Sequence, residues 1–111
     1  MGQETSLNQA LSYLITPGRM LLGKLKELTE SPEEIGEAVR TWRALEHRAS
    51  KTHPTQEDLW ECMGLYRAAV SEMRNVCLAR KLNATRKNTP EEISIWRRLQ
   101  RIADSCLKHS S

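Results

Sequence analysis

Two segments of this chain carry the same helix start. Ser31-Pro32-Glu33-Glu34-Ile35 and Thr89-Pro90-Glu91-Glu92-Ile93 each place a hydroxyl residue before a proline, two acids and an apolar residue. A hydroxyl at the N-cap accepts from orphan backbone N–H groups. Proline suits the first helical position because its missing donor is not needed there, and acids in the first turn favour the helix dipole. The two starts share capping chemistry and do not mark a repeat. Thr55-Gln56-Glu57-Asp58 is a third start of related kind. No segment alternates apolar and polar residues long enough to make a strand. Five Gly and four Pro in 111 residues are also too few for the many tight turns of an all-β domain. The expected fold class is all-α.

Apolar spacing predicts about five helices in one compact bundle. The first runs from Thr5-Ser6 with Leu7, Ala10, Leu11, Leu14 and Ile15 on one face, and Thr16-Pro17-Gly18 ends it. The second spans about 19–29, with Leu21, Leu25 and Leu28 in its stripe and Met20 and Leu22 beside it. The third opens at Ser31 and buries Ile35, Ala38, Val39, Trp42, Leu45 and Ala49, stopping near Lys51-Thr52-His53-Pro54. The fourth opens at Thr55 and runs to about Arg80 or Leu82. Its stripe from Leu59 to Cys77 is the longest, which makes it the central helix. A polar, basic loop is expected over 83–88. The fifth helix covers about 90–107, with Ile93, Trp96, Leu99, Ile102, Ala103 and Cys106 facing inward. Residues 1–111 form a single domain, with 109–111 as a flexible tail.

Charge is unevenly placed. Residues 1–60 carry seven Lys/Arg and nine Asp/Glu, while 61–111 carry ten and five, so the net charge of +3 belongs to the second half. Three cysteines, Cys62, Cys77 and Cys106, make an odd count without metal-type spacing, and all fall on apolar stripes. The start MGQETS has neither a basic stretch nor the apolar core of a secretory signal. These features favour an intracellular setting with free thiols. No stretch is long and apolar enough to span a bilayer. Asn83-Ala84-Thr85 fits a glycosylation sequon, an accident in a chain that is not secreted.

Catalytic chemistry finds no support: the chain has no P-loop, no G-x-S-x-G and no H-E-x-x-H. Glu33-Glu34 and Glu91-Glu92 belong to helix first turns. His47, His53 and His109 make no zinc-like set with the cysteines. Hence no enzyme, no metal, no cofactor and no small-molecule substrate are expected. Trp42 and Trp96 are in register with core stripes, whereas Trp60 is off its stripe and is the tryptophan expected at the surface.

The sharpest motif is Met1-Gly2-Gln3-Glu4-Thr5-Ser6, which matches M-G-x-x-x-[ST]. That pattern presents a glycine amine, free of any side chain, for N-myristoylation after removal of Met1. One myristoyl chain binds membrane only marginally, with K on the order of 10⁴ M⁻¹, so a second signal is needed. Basic residues are the candidates: Arg80, Lys81, Arg86, Lys87, Arg97, Arg98 and Arg101 late in the chain, and Arg19, Lys24 and Lys26 closer to Gly2. Each is worth about 1 kcal/mol near an anionic leaflet.

The start Met1-Gly2-Gln3 with Ser6, the basic all-helical character and the length together resemble the N-myristoylated matrix domain at the front of retroviral Gag polyproteins. The specific motif covers six residues, and the rest of the chain matches in size and helicity. The heaviest basic density here lies late, at 80–101, where matrix domains often place it early. The resemblance implies a lipid acceptor at Gly2 and membrane-facing Arg19, Lys24 and Lys26. It also implies anionic phospholipid at the inner face of the host plasma membrane as partner, with self-association during virion assembly. Two other readings remain: a helical nucleic-acid-binding domain that sets the 80–101 region on RNA or DNA phosphates, and a myristoylated adaptor that binds a protein partner.

Overall fold

A computed structural model describes residues 2–109, with side chains from Gln9 onward. It consists of α1 (Gly2–Leu28), a 3₁₀ turn (Pro32–Ile35), α2 (Gly36–Ala49), α3 (Gln56–Lys87) and α4 (Pro90–His109). The all-α class stands, with four α-helices where five were expected. The molecule is a rod of 55 × 24 × 18 Å. Its long axis matches α3, whose 32 residues extend ~48 Å at 1.5 Å per residue.

The first two expected helices are one. Thr16-Pro17-Gly18 does not end α1, which already runs from Gly2 and continues to Leu28. Pro17 removes only the N–H that would reach the carbonyl of Tyr13. That carbonyl belongs to a residue 87% exposed, so water is at hand. One position earlier, the Thr16 hydroxyl donates to the Ser12 carbonyl at 2.6 Å. The buried stripe then passes straight through: Leu11, Ile15, Gly18, Leu22 and Leu25 recur at alternating spacings of four and three. Gly18 serves close approach and not a turn. A Cβ there would lie 2.7 Å from Tyr66 Cε1 and 2.9 Å from Trp42 Cζ3.

The Ser31-Pro32-Glu33-Glu34 start sits where expected, but its first turn is 3₁₀ and Ser31 makes no side-chain cap. At Thr55 the cap is complete. The Asp58 N–H donates to Thr55 Oγ1 at 3.1 Å, and the Thr55 N–H donates to Asp58 Oδ2 at 2.9 Å.

The expected loop over 83–88 is helix almost throughout. Nothing from Asn83 to Lys87 is a Gly or Pro, and fully buried Ala84 anchors the segment. Asn88, with φ 56°, closes α3 in the left-handed region. The Thr89 N–H donates to the Ala84 carbonyl and the Asn88 N–H to the Thr85 carbonyl, both at 3.1 Å. This six-to-one, five-to-two pair is a Schellman cap. Pro90 opens α4 one residue later. α4 reaches His109, and Ser110 and Ser111 lie outside the described residues.

The core is one cluster shared by all four helices. Tyr66, Val70, Met73 and Cys77 of α3 run through its centre, beneath Leu21 and Leu25 of α1 and Leu45 of α2. Trp42 and Tyr66 meet at 5.9 Å between ring centres, tilted by 55°. Trp96, Leu99, Ala103 and Cys106 close it from α4. Trp60 is 64% exposed, as its position off the stripe implied. Three expected core residues are not in the core: Ala10 is exposed, Ile102 is 39% exposed and Leu28 is 38% exposed, while Leu7 lies outside the described side chains.

Candidate functional site

α1 and α4 lie side by side in opposite directions, because α1 residues late in sequence meet early α4 residues. At the middle of α1, Tyr13, Leu14 and Pro17 border a recess of about 360 Å³ with Ser105, Cys106 and His109. Further along, Pro17, Met20 and Lys24 border a second, of about 490 Å³, with Leu99 and Ile102. Pro17 belongs to both, so the two recesses form one seam. Its rims carry apolar side chains that the bundle does not cover: Tyr13 at 87%, Met20 at 71% and Ile102 at 39% exposed.

The basic residues expected from the sequence divide sharply. On α1, Lys24 stands on the seam, where it pairs with Glu27 at 3.5 Å. Arg19 lies on the opposite flank. There its guanidinium grips Glu46, with Nε 2.9 Å from Oε1 and Nη2 3.1 Å from Oε2, and Glu46 also accepts from Trp42 Nε1 at 2.9 Å. Lys26 borders a recess of about 770 Å³ beside the 3₁₀ turn, whose lining also holds Arg40, Arg43, Glu30 and Glu33. The lining there is of mixed sign.

The 80–101 group does not form one patch. Arg80 is turned inward, pairing with Glu34 while its guanidinium carbon lies 5.6 Å from the Trp96 ring centre. It ties α3, α4 and the 3₁₀ turn together, and its proton affinity rises through the Glu34 hydrogen bonds. Lys81 donates to Gln100 Oε1 at 2.7 Å across the α3–α4 contact. Arg86 and Lys87 are exposed at the C-terminal end of α3. Arg97 is exposed on the side of α4 that carries Gln100 and Asp104 toward α3. Arg98 and Arg101 are exposed, Arg98 on the flank of α4 nearer the seam and Arg101 on its outward face between Arg97 and Ser105. Arg98 stands three residues after exposed Ile95 and four before Ile102, on their helical face. Arg101 stands four before Ser105, which lines the first recess.

Gly2 opens α1, and its surroundings lie outside the described residues. The seam thus lies between α4 and the helix that Gly2 starts, with Arg98 on its α4 flank. Arg86 and Lys87 sit at the far end of the rod from Thr55 and the start of α3. Sequence reading missed Tyr13, Met20 and Ile102 as surface groups. The signal was present for the first two, since they stand seven residues apart and off the Leu11–Leu25 stripe.

The thiols are not set up for bond-making chemistry. Cys62, Cys77 and Cys106 are free and buried. Burial pushes the Cys77 thiol up to about 11 and raises Cys62 as well, which leaves both as neutral packing groups. Burial, then the Cys106 side chain, raise the Tyr66 phenol. Among the described residues no three His, Cys, Asp or Glu side chains converge to hold a metal ion. No helix among the described residues is long and apolar enough to cross a membrane. Comparisons with protein-family models, with curated proteins and with solved structures give no match to this chain, so its reading rests on its own residues.

Proposed function

We propose that this chain is an N-myristoylated membrane-targeting and assembly module of the retroviral matrix type. In this reading Gly2 carries the acyl chain and the rod lies flat on the anionic inner leaflet of the host plasma membrane. It is a binding module, not an enzyme, and its only added group is the covalent myristate.

The observation that carries the reading is the α1–α4 seam. There Tyr13, Met20 and Ile102 stand exposed beside Lys24, with Arg98 on the adjoining flank of α4 and Arg101 next to it on the outward face. Apolar groups at the headgroup boundary with cations beside them are what a peripheral anchor requires. A myristoyl chain supplies the first part of the binding energy. Each cation adds about 1 kcal/mol at an anionic surface. The nucleic-acid alternative needs a continuous basic array over 80–101, and the inward engagement of Arg80 and Lys81 weighs against it.

The test is co-expression with an N-myristoyltransferase, an intact mass, and flotation on vesicles with and without phosphatidylserine. The acylated chain is expected to float best with the anionic lipid, and Gly2→Ala is expected to stay in the dense fraction while remaining folded. An unmodified product, or flotation by Gly2→Ala equal to that of the acylated chain, rejects the reading.

A further inference from the structure

One face of α3 is turned to solvent, and two large apolar side chains stand on it. Trp60 is 64% and Leu82 54% exposed. They flank Ser71 symmetrically, eleven residues to either side, and eleven residues is close to three whole turns, so all three share one face. Between them Gly64, Ala68, Asn75 and Ala79 are exposed and short. Exposed Arg67 is the long side chain of this stretch. The charges at the ends are offset from this symmetry by a single residue, fourteen before Ser71 and fifteen after it. Exposed Glu57 lies just before Trp60 and exposed Arg86 just after Leu82.

We infer that this face of α3 binds a second copy of the chain, α3 antiparallel to α3 across a two-fold axis near Ser71. In that arrangement Trp60 of each copy falls beside Leu82 of the other, and Glu57 of each meets Arg86 of the other. Arg67 of each falls opposite Asn75 of the other, where a short amide leaves it room and an acceptor. This is the self-complementarity of a two-fold contact, where each contact occurs twice. A parallel pair places Glu57 against Glu57 and Arg86 against Arg86, which like charge opposes. Antiparallel α3 helices also set opposite dipole ends together. The large groups supply the anchors, and the short side chains between them admit the partner helix closely. The face shares no residue with the α1–α4 seam, so the inference stands apart from the acylation reading.

The test uses the full, unacylated chain. Sedimentation equilibrium is expected to show a monomer–dimer equilibrium. Trp60→Ala removes the tryptophan from both anchor contacts of the pair and should weaken association at least about tenfold. Glu57→Arg should weaken it too, and Glu57→Arg with Arg86→Glu should restore it. Ser71→Cys should form a disulfide-linked dimer under mild oxidation, since the native cysteines are buried. Trp60→Cys should not, because the two copies of position 60 lie far apart in an antiparallel pair. Circular dichroism of each variant confirms that the helices persist. A monomer at every soluble concentration with no Ser71→Cys cross-link overturns the inference. So does cross-linking of Trp60→Cys as efficient as that of Ser71→Cys, which marks a parallel pair. Vesicle binding by acylated Trp60→Ala, retained at the level of the acylated parent, separates this surface from the lipid-binding one.

Discussion

Gly18 sits beneath the ring of Tyr66 with no room for a methyl group between them. A Cβ at residue 18 comes within 2.7 Å of Tyr66 Cε1, and Trp42 closes the other side at 2.9 Å. Both rings are locked in the core, so neither yields cheaply. Gly18→Ala should therefore destabilise the fold by about 1–3 kcal/mol. Gly23 is the matched control, lying in the same helix where a Cβ would meet nothing within 4 Å. Gly23→Ala should stabilise by roughly 0.5–1 kcal/mol. Urea unfolding of the two variants beside the parent checks both signs. A neutral Gly18→Ala would show that α1 can lift away from Tyr66.

Asp58 should contribute to the acid limb of the stability curve. The Lys51 ammonium and then the Thr55 N–H hold its carboxyl at about 2, against an ordinary value of 3.8. A carboxylate favoured in the folded state lends stability above the unfolded value, and loses it as pH falls through the folded one. Asp58→Asn should thus be less stable than the parent at neutral pH. The gap should close progressively between about pH 4 and pH 2. Urea midpoints of the two proteins across that range test this, and a gap that persists unchanged at low pH assigns the effect to packing.

Arg80 should behave as a structural residue. Its partners are Glu34 and the Trp96 ring, both in other elements of the bundle. Arg80→Gln is expected to cost about 1–3 kcal/mol of stability. Binding of the acylated, folded variant to anionic vesicles should stay within about twofold of the parent, well under the tenfold that 1.4 kcal/mol represents. A large loss of vesicle binding would place Arg80 at the lipid surface.

Arg98 and Arg101 should behave in the opposite way. Reversing both to Glu leaves the core untouched, since both are exposed. Losing two cations at about 1 kcal/mol each should weaken binding to anionic vesicles by at least about tenfold. The remaining binding should depend less on salt. The same reversal at Arg86 and Lys87 should do less, because those residues lie off the seam. Vesicle sedimentation at two salt concentrations distinguishes the two sites.

Much of this architecture was legible in particular residues. The Thr55–Asp58 cap, the Pro32 and Pro90 starts, the α3 stripe and the exposure of Trp60 follow from local chemistry and spacing. The break expected at Pro17-Gly18 misjudged two strong local signals. The stripe Leu11, Ile15, Gly18, Leu22, Leu25 counts through the proline without losing phase, and tertiary packing outweighed one missing hydrogen bond. The 83–88 loop was inferred from polarity, although polar residues without Gly or Pro continue a helix readily on an exposed face. Asn88 was the true stop, and its left-handed tolerance is the clue that polarity obscured. For the basic residues, the order of residues carries their number but not their direction. Whether Arg80 points outward or into Glu34 depends on where the 3₁₀ turn docks, which no spacing rule states.

The Asn88–Thr89 connection has a kinetic consequence. It joins two extensively packed neighbours, α3 and α4, through a two-residue corner that the Schellman cap already holds. Helices so joined meet with little loop entropy to overcome, and chains rich in such local contacts collapse quickly. α1 has no such advantage, because Gly18 must find Trp42 and Tyr66 in helices that follow long after it. The hairpin of α3 and α4 is thus the natural nucleus, with α2 against it, and α1 is the latch that closes last. In pulse-labelling hydrogen exchange, the amides of α3 and α4 should gain protection before those of α1.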